Sequence, residues 1–151
     1  TESYVENRQV LVVRAEDAAA YAEKTDFAGK TLVAEAGSAG EDAIASDLAD
    51  AKYTAVTSQA NALLEIKAKT ADAAVIDYTM ARALTRAGSD YADLVLLDIR
   101  LSEDGNEEYA IGFRLGSTAV ARVNEIIGAL AADGTLTAIA ERYGVKDLLL
   151  K

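Results

Sequence analysis

Asp77 closes the apolar run "AAVI" and stands directly before a helical stretch, so its carboxylate falls at a strand-to-helix turn. Two more such turns carry polar groups: Gly37-Ser38-Ala39-Gly40 after "TLVAEA", and Thr57-Ser58 after "KYTAV". Backbone N–H groups at a helix start, beside a glycine that permits close approach, suit an anion, a carboxylate as readily as a phosphate. The first turn is not a nucleotide loop, because no Lys-Ser or Lys-Thr follows and the dinucleotide glycine pattern is absent. Each turn also has a purely local reading. Ser38 and Glu41 have the spacing of a capping box, in which Ser38 only closes the helix start. Asp77 can be an N-cap, or a carboxylate that pairs with a cation. Thr57 and Ser58 can donate hydrogen bonds, and Ser58 is a good cap for its own helix. Asp72, at the other end of the Asp77 strand, should point away and be structural. An anion site and a carboxylate on one edge of one sheet are what a free α-amino acid needs. Its carboxylate and its ammonium, once desolvated, both require charge-assisted partners.

The elements that must position these groups alternate regularly. Strand-like runs cover 8–14, 30–37, 52–56, 72–77, 93–98 and 108–115, and helical patterns cover 16–24, 38–50, 58–69, 78–87, 117–132 and 135–143. Gly144 follows the last helix, where a left-handed cap is expected. Short strands alternating with helices predict an α/β fold, a flavodoxin-like, mostly parallel sheet with helices on both faces. In such sheets ligands bind beyond the carboxyl ends of the strands.

Composition narrows the chemistry. The 151 residues include no Cys, which removes disulfides and thiolate chemistry, and no His, the commonest general base and transition-metal ligand. With no convergent carboxylate pair either, no acid–base set is visible, and neither an enzyme nor a cofactor or metal site is expected. A net charge of -10 argues against nucleic acid and anionic membrane as partners, since both need clustered Lys and Arg. No apolar stretch is long enough to span a membrane.

The motifs, taken in order, resemble the amino-acid family of extracytoplasmic solute-binding proteins. "TESYVENRQVLVVR" is similar to the segment that leaves the first lobe and enters the first hinge strand. "FAGKTLVAEAGSAGE" resembles the family's strand and Gly-Thr-Thr-type loop, and "ADAAVIDYTMA" its strand ending in a ligand-binding Asp. "EEYAIGFRLGSTAVARVNEIIGALAADGTLTAIAERYG" resembles the second hinge strand and the closing helices.

The resemblance implies one lobe of a two-lobed periplasmic binding protein-like fold: residues 1–14 as the hinge strand entering it, 15–107 as the ligand-binding second lobe, and 108–151 as the return strand with helices that pack on a first lobe. It implies capture of a free amino acid and delivery to an ABC-type permease outside the cytoplasm; the alternative is the same lobe as a sensor domain of a membrane receptor. Asp77 matches the position that binds the α-ammonium, and Gly37 and Ser38 the loop that holds the α-carboxylate. Ala39 departs from a threonine found in many relatives, and Glu35 stands where relatives often carry an amide or apolar residue. Glu35 is either solvated or faces a basic ligand side chain. The first lobe and a signal region are expected to be missing, so the chain reads as a fragment. Uncovered apolar faces around Val123, Ile127, Leu130 and Ile139 then predict pairing of two copies through the C-terminal segment.

Overall fold

Buried apolar runs in the first hundred residues build a five-stranded sheet, and the rest of the chain builds a smaller helical unit. The computed structural model describes residues 1–101 and 107–150. In chain order the elements are β1 (Val5–Asn7), β2 (Gln9–Arg14), β3 (Thr31–Glu35), α1 (Ala39–Asp47), β4 (Lys52–Val56), α2 (Gln59–Lys67), β5 (Ala73–Asp77), α3 (Tyr78–Leu84), β6 (Leu94–Leu96), β7 (Glu107–Tyr109), α4 (Ala119–Ala132) and α5 (Thr135–Tyr143). Two compact units result, one of Arg8–Gly105 and one of Thr1–Asn7 with Asn106–Lys151.

In the larger unit the strand order is β4-β3-β5-β2-β6. β3 runs parallel to β4 and β5, while β2 runs antiparallel to both β5 and β6. Four strands therefore share one direction and β2 alone opposes them. The mostly parallel, flavodoxin-like sheet expected from the sequence is present, with this one reversal. Its consequence is that Gln9, the first residue of β2, pairs with Asp77, the last of β5. The amino end of β2 thus lies on the same edge as the carboxyl ends of its neighbours.

Both faces of the inner strands β2, β3 and β5 are covered, which is why these strands read as near-continuous apolar runs, while the edge strand β4 is largely exposed. On one face Leu11, Val13, Leu32, Ala34, Ala73 and Val75 pack with Ala43, Ile44 and Leu48 from α1 and with Tyr21 and Phe27. Those two rings stack with centroids 4.6 Å apart. The alternate residues Val10, Val12, Val33, Ala74 and Ile76 are buried as well, as are Leu63 and Ile66 of α2 and Ala81 of α3. Each such Val or Leu contributes about 1.5–3 kcal/mol relative to exposure.

Two expected elements differ. The helix expected at 16–24 is instead two 3₁₀ turns, Ala15–Ala20 and Lys24–Phe27. Asp26 causes the break: its carboxylate accepts the N–H groups of Ala22 and Glu23 at 2.7 and 3.0 Å, which starts a second turn and holds the carboxyl below its usual range. The strand expected at 108–115 is regular only over Glu107–Tyr109, because its partner β1 supplies just three residues.

In the smaller unit α4 packs on α5 through the Asp133-Gly134 turn, with Gly134 at φ 80° and Asp133 Oδ1 accepting the Thr135 N–H at 2.9 Å. The expected left-handed cap at Gly144 is present, at φ 71°. Ile127, expected to be uncovered, is buried, and Val123 and Leu130 on the same face of α4 are half-buried, whereas Ile139 is exposed as expected. Among the described residues no single helix is long and apolar enough to cross a membrane.

Arg14 ties the far end of β2 to α2. Its guanidinium donates to the carbonyls of Ile66 and Ala71 at 2.9 and 2.8 Å and pairs with Asp17 at 2.5 Å, with the side chain 13% exposed. Arg14→Leu should lose about 2–3 kcal/mol of stability, since hydrogen bonds to a charged donor are lost. Urea denaturation followed by circular dichroism reads this as a lower midpoint, and an unchanged midpoint would remove Arg14 from the framework.

Candidate functional site

Asp77 sits at the position before α3, with φ -59° and ψ 132°, but makes no capping bond. Its carboxylate turns instead to two amides. Gln9 Nε2 donates to Oδ1 at 2.8 Å, and Gln59 Nε2 donates to Oδ2 at 2.7 Å. The backbone N–H of Asp77 in turn donates to Gln59 Oε1 at 3.1 Å. Of the two roles the sequence leaves open, the helix cap is therefore not the one adopted. The following residue, Tyr78, is buried and donates its N–H to the Arg8 carbonyl at 2.9 Å. The Arg8 guanidinium lies 4.5 Å from the Tyr78 ring centroid, a cation–π contact.

The Gly37–Gly40 turn forms half of a capping box. Ser38 Oγ accepts the Glu41 N–H at 3.3 Å, capping α1. Glu41 does not reach back to Ser38; its Oε2 accepts the Gly37 N–H at 2.5 Å. The Ser38 N–H is taken by the Glu35 carbonyl at 3.2 Å. Gly37 has φ +70°, a backbone state that glycine adopts at little cost. The loop thus already holds one carboxylate, its own. The N–H groups of Ala39 and Gly40 open the helix and have no carbonyl four residues back within it. Burial, followed by the charge and hydrogen bond of Glu41, pushes the Tyr53 phenol above its usual range.

Gly40 links the loop to Asp77. A Cβ at this position would lie 2.7 Å from the Val75 carbonyl oxygen and 3.3 Å from Gln9 Oε1. The start of α1 is therefore pressed against β5 and against the amide that holds Asp77. Glu35 and Thr57 lie at the carboxyl ends of the adjacent strands β3 and β4. Thr57 Oγ1 accepts from Asn61 Nδ2 at 2.8 Å, and Ser58 caps α2 through the Asn61 N–H at 3.2 Å, so both hydroxyls serve their own helix. Glu35 is half-buried, and among the described residues no ion pair involves it. Asp72 is structural as expected, accepting the Thr31 N–H at 2.8 Å.

Sequence reasoning did not find Gln9 and Gln59. The available signal was Gln9 itself, an amide opening an otherwise β-branched run, and Gln59 directly after the Thr57-Ser58 turn. Among the described residues no group of three or more acidic side chains could hold a metal ion. A separate pocket, lined by Lys24, Phe27, Asp47 and Asp50 among others, lies at the amino ends of β3 and β4 and shares no residue with this edge.

No family model and no curated protein matches the sequence. Solved structures do match. An amino acid ABC transporter substrate-binding protein, AbpA from Streptococcus pneumoniae, bound to L-arginine, is 22% identical with a TM-score of 0.78; the match covers 95% of this chain and 59% of that chain. A mutant of ArgBP from T. maritima is 26% identical with a TM-score of 0.73, over 95% of this chain and 60% of that one. The GluR0 ligand binding core in complex with L-glutamate is 17% identical with a TM-score of 0.77, over 95% and 62%. The chain therefore has the periplasmic binding protein-like fold shared by amino acid ABC transporter substrate-binding proteins, as the sequence resemblance implied, and it spans about three fifths of their length.

Gly40 gives a test of this packing. Glycine to alanine in a helix ordinarily gains up to about 1 kcal/mol. Here the contact with a backbone oxygen reverses the sign, and Gly40→Ala should destabilise by about 1–3 kcal/mol. Denaturant titration of the variant checks it, and a stabilised variant would show that α1 is free to move away from β5.

Proposed function

We propose that this chain is the second lobe, with its closing segment, of an extracytoplasmic solute-binding protein that captures a free amino acid and delivers it to an ABC-type importer. The observation that carries the reading is the Asp77 carboxylate, held by amide donors at the ligand edge of the sheet and linked through Gln9 to the open helix start at Gly40. In this reading Asp77 meets the α-ammonium. The loop of Gly37, Ser38, Ala39 and Gly40 meets the α-carboxylate, with Glu41 giving up the Gly37 N–H. Thr57 lines the same edge, and Glu35 faces a cationic ligand side chain. Residues 15–107 form the binding lobe, 1–14 lead into it, and 108–151 pack on a first lobe. Binding without catalysis fits a site with no His, no Cys and no paired carboxylates. The L-arginine in the matched Streptococcus pneumoniae structure supports a free amino acid as the ligand.

A second reading, a ligand-binding sensor domain of a membrane receptor, is favoured by the likeness to the GluR0 ligand binding core. Membrane fractionation of the full-length protein separates the two: an integral membrane span joined to this region supports the sensor.

In the full-length protein Asp77→Ala should weaken amino-acid binding at least about thirtyfold while leaving the fold intact, because truncating one partner of a desolvated charge pair costs about 2–5 kcal/mol. Calorimetry with unchanged affinity would remove Asp77 from the site. The present chain alone should bind amino acids no more tightly than about 1 mM, since exposed ion pairs contribute only about 0–1 kcal/mol each. It should also form a dimer by light scattering, through the 109–151 segment. A monomer that binds an amino acid at micromolar strength would overturn the two-lobe account.

A further inference from the structure

The two glutamines around Asp77 do more than satisfy a half-buried carboxylate. Gln9 is 5% exposed and comes from β2, while Gln59 comes from the first turn of α2. Together they engage one oxygen each, at 2.8 and 2.7 Å. Gln59 is bonded at both of its polar atoms to the same residue, Nε2 to Oδ2 and Oε1 from the backbone N–H, so its amide cannot be turned round without losing both bonds. Two donors from different elements define the plane of a carboxylate, where one would leave it free to rotate about its bond to Cβ. Amides also bring no charge, so this clamp fixes the group without neutralising it. An asparagine at this position would set an N–H₂ against one of the two amide donors, so the site is built for a carboxylate.

We propose that Gln9 and Gln59 are positioning residues that lock the Asp77 carboxylate in one orientation, and that this lock makes the site selective for a primary α-ammonium over an N-alkylated one. The proposal rests on the reading of Asp77 as the ammonium partner. A carboxylate fixed on both oxygens cannot swing aside to admit an N-methyl group, whereas a released one can. In metal sites, supporting partners of a ligating group move affinity by about 10–100-fold, and an effect of the same order is expected for this clamp.

The test uses the full-length protein, with L-arginine, L-lysine and L-glutamine and their Nα-methyl derivatives as probes in calorimetry. Gln9→Leu and Gln59→Leu are expected to weaken binding of the primary amino acid about tenfold or more and to narrow its preference over the N-methyl form. Gln59→Asn, which keeps the amide but is one methylene too short to reach, should behave like Gln59→Leu and serves if the leucine variants do not fold. Equal losses for both ligand forms would reduce the glutamines to structural support and overturn the selectivity claim. Wild-type affinity and preference in the glutamine variants, with binding lost in Asp77→Ala, would overturn the positioning role while leaving the amino-acid reading intact. Indifference of Asp77→Ala, or no binding of any probe by the wild-type protein, would overturn both.

Discussion

The antiparallel ladder between β2 and β5 is the constraint from which the candidate site follows. It pairs Gln9 with Asp77, Val10 with Ile76, Leu11 with Val75 and Val12 with Ala74, and all of these except Asp77 are buried. These two strands lie inside the sheet and pack closely on both faces, so their register is fixed by the fit of particular side chains to each covering layer. A slip of one residue would exchange the faces of every side chain in β2. The register that satisfies the core is therefore also the register that sets the Gln9 amide beside the Asp77 carboxylate.

From that ladder the rest of the edge is built by close approach. α1 starts against β5 at Gly40, where only a hydrogen atom fits before the Val75 carbonyl. That approach brings the open N–H groups of the α1 start near the amide that holds Asp77. The Asp77 carboxylate and the start of α1 are thus placed on one edge by backbone packing. The Asp77 carboxylate is held by neutral amides, the Glu41 N–H by the Ser38 cap and the Gly37 N–H by Glu41, so these polar groups at the edge have partners within the lobe.

The two units differ in how much they can bury. Among the described residues, the exposed large apolar side chains fall almost entirely in the unit of Thr1–Asn7 and Asn106–Lys151: Tyr109, Ile111, Phe113, Leu115, Ile126, Ile139, Tyr143 and Leu150, with Leu64 the exception. A two-stranded ribbon of three residues per strand and two helices offer too little surface to enclose a core. The five-stranded unit, whose inner strands are covered on both faces, has no such deficit.

The sequence by itself determined the order and type of nearly every element. Strand-like runs at 30–37, 52–56 and 72–77, each followed by a capped helical pattern, left few arrangements other than an alternating α/β sheet. It also marked Asp77, Gly37 and Ser38, since strand-to-helix turns in such sheets face the ligand edge. Tertiary structure alone decided the direction of β2. Periodicity carries no direction, and the reading of strand carboxyl ends looked away from Gln9, which reaches that edge at the start of a strand. Tertiary structure also decided that Asp77 does not cap its helix. A cap and a carboxylate turned to other partners have the same local sequence, and what separated them was the arrival of two amides, one 68 and one 18 residues away, which only the packed sheet brings within hydrogen-bond distance.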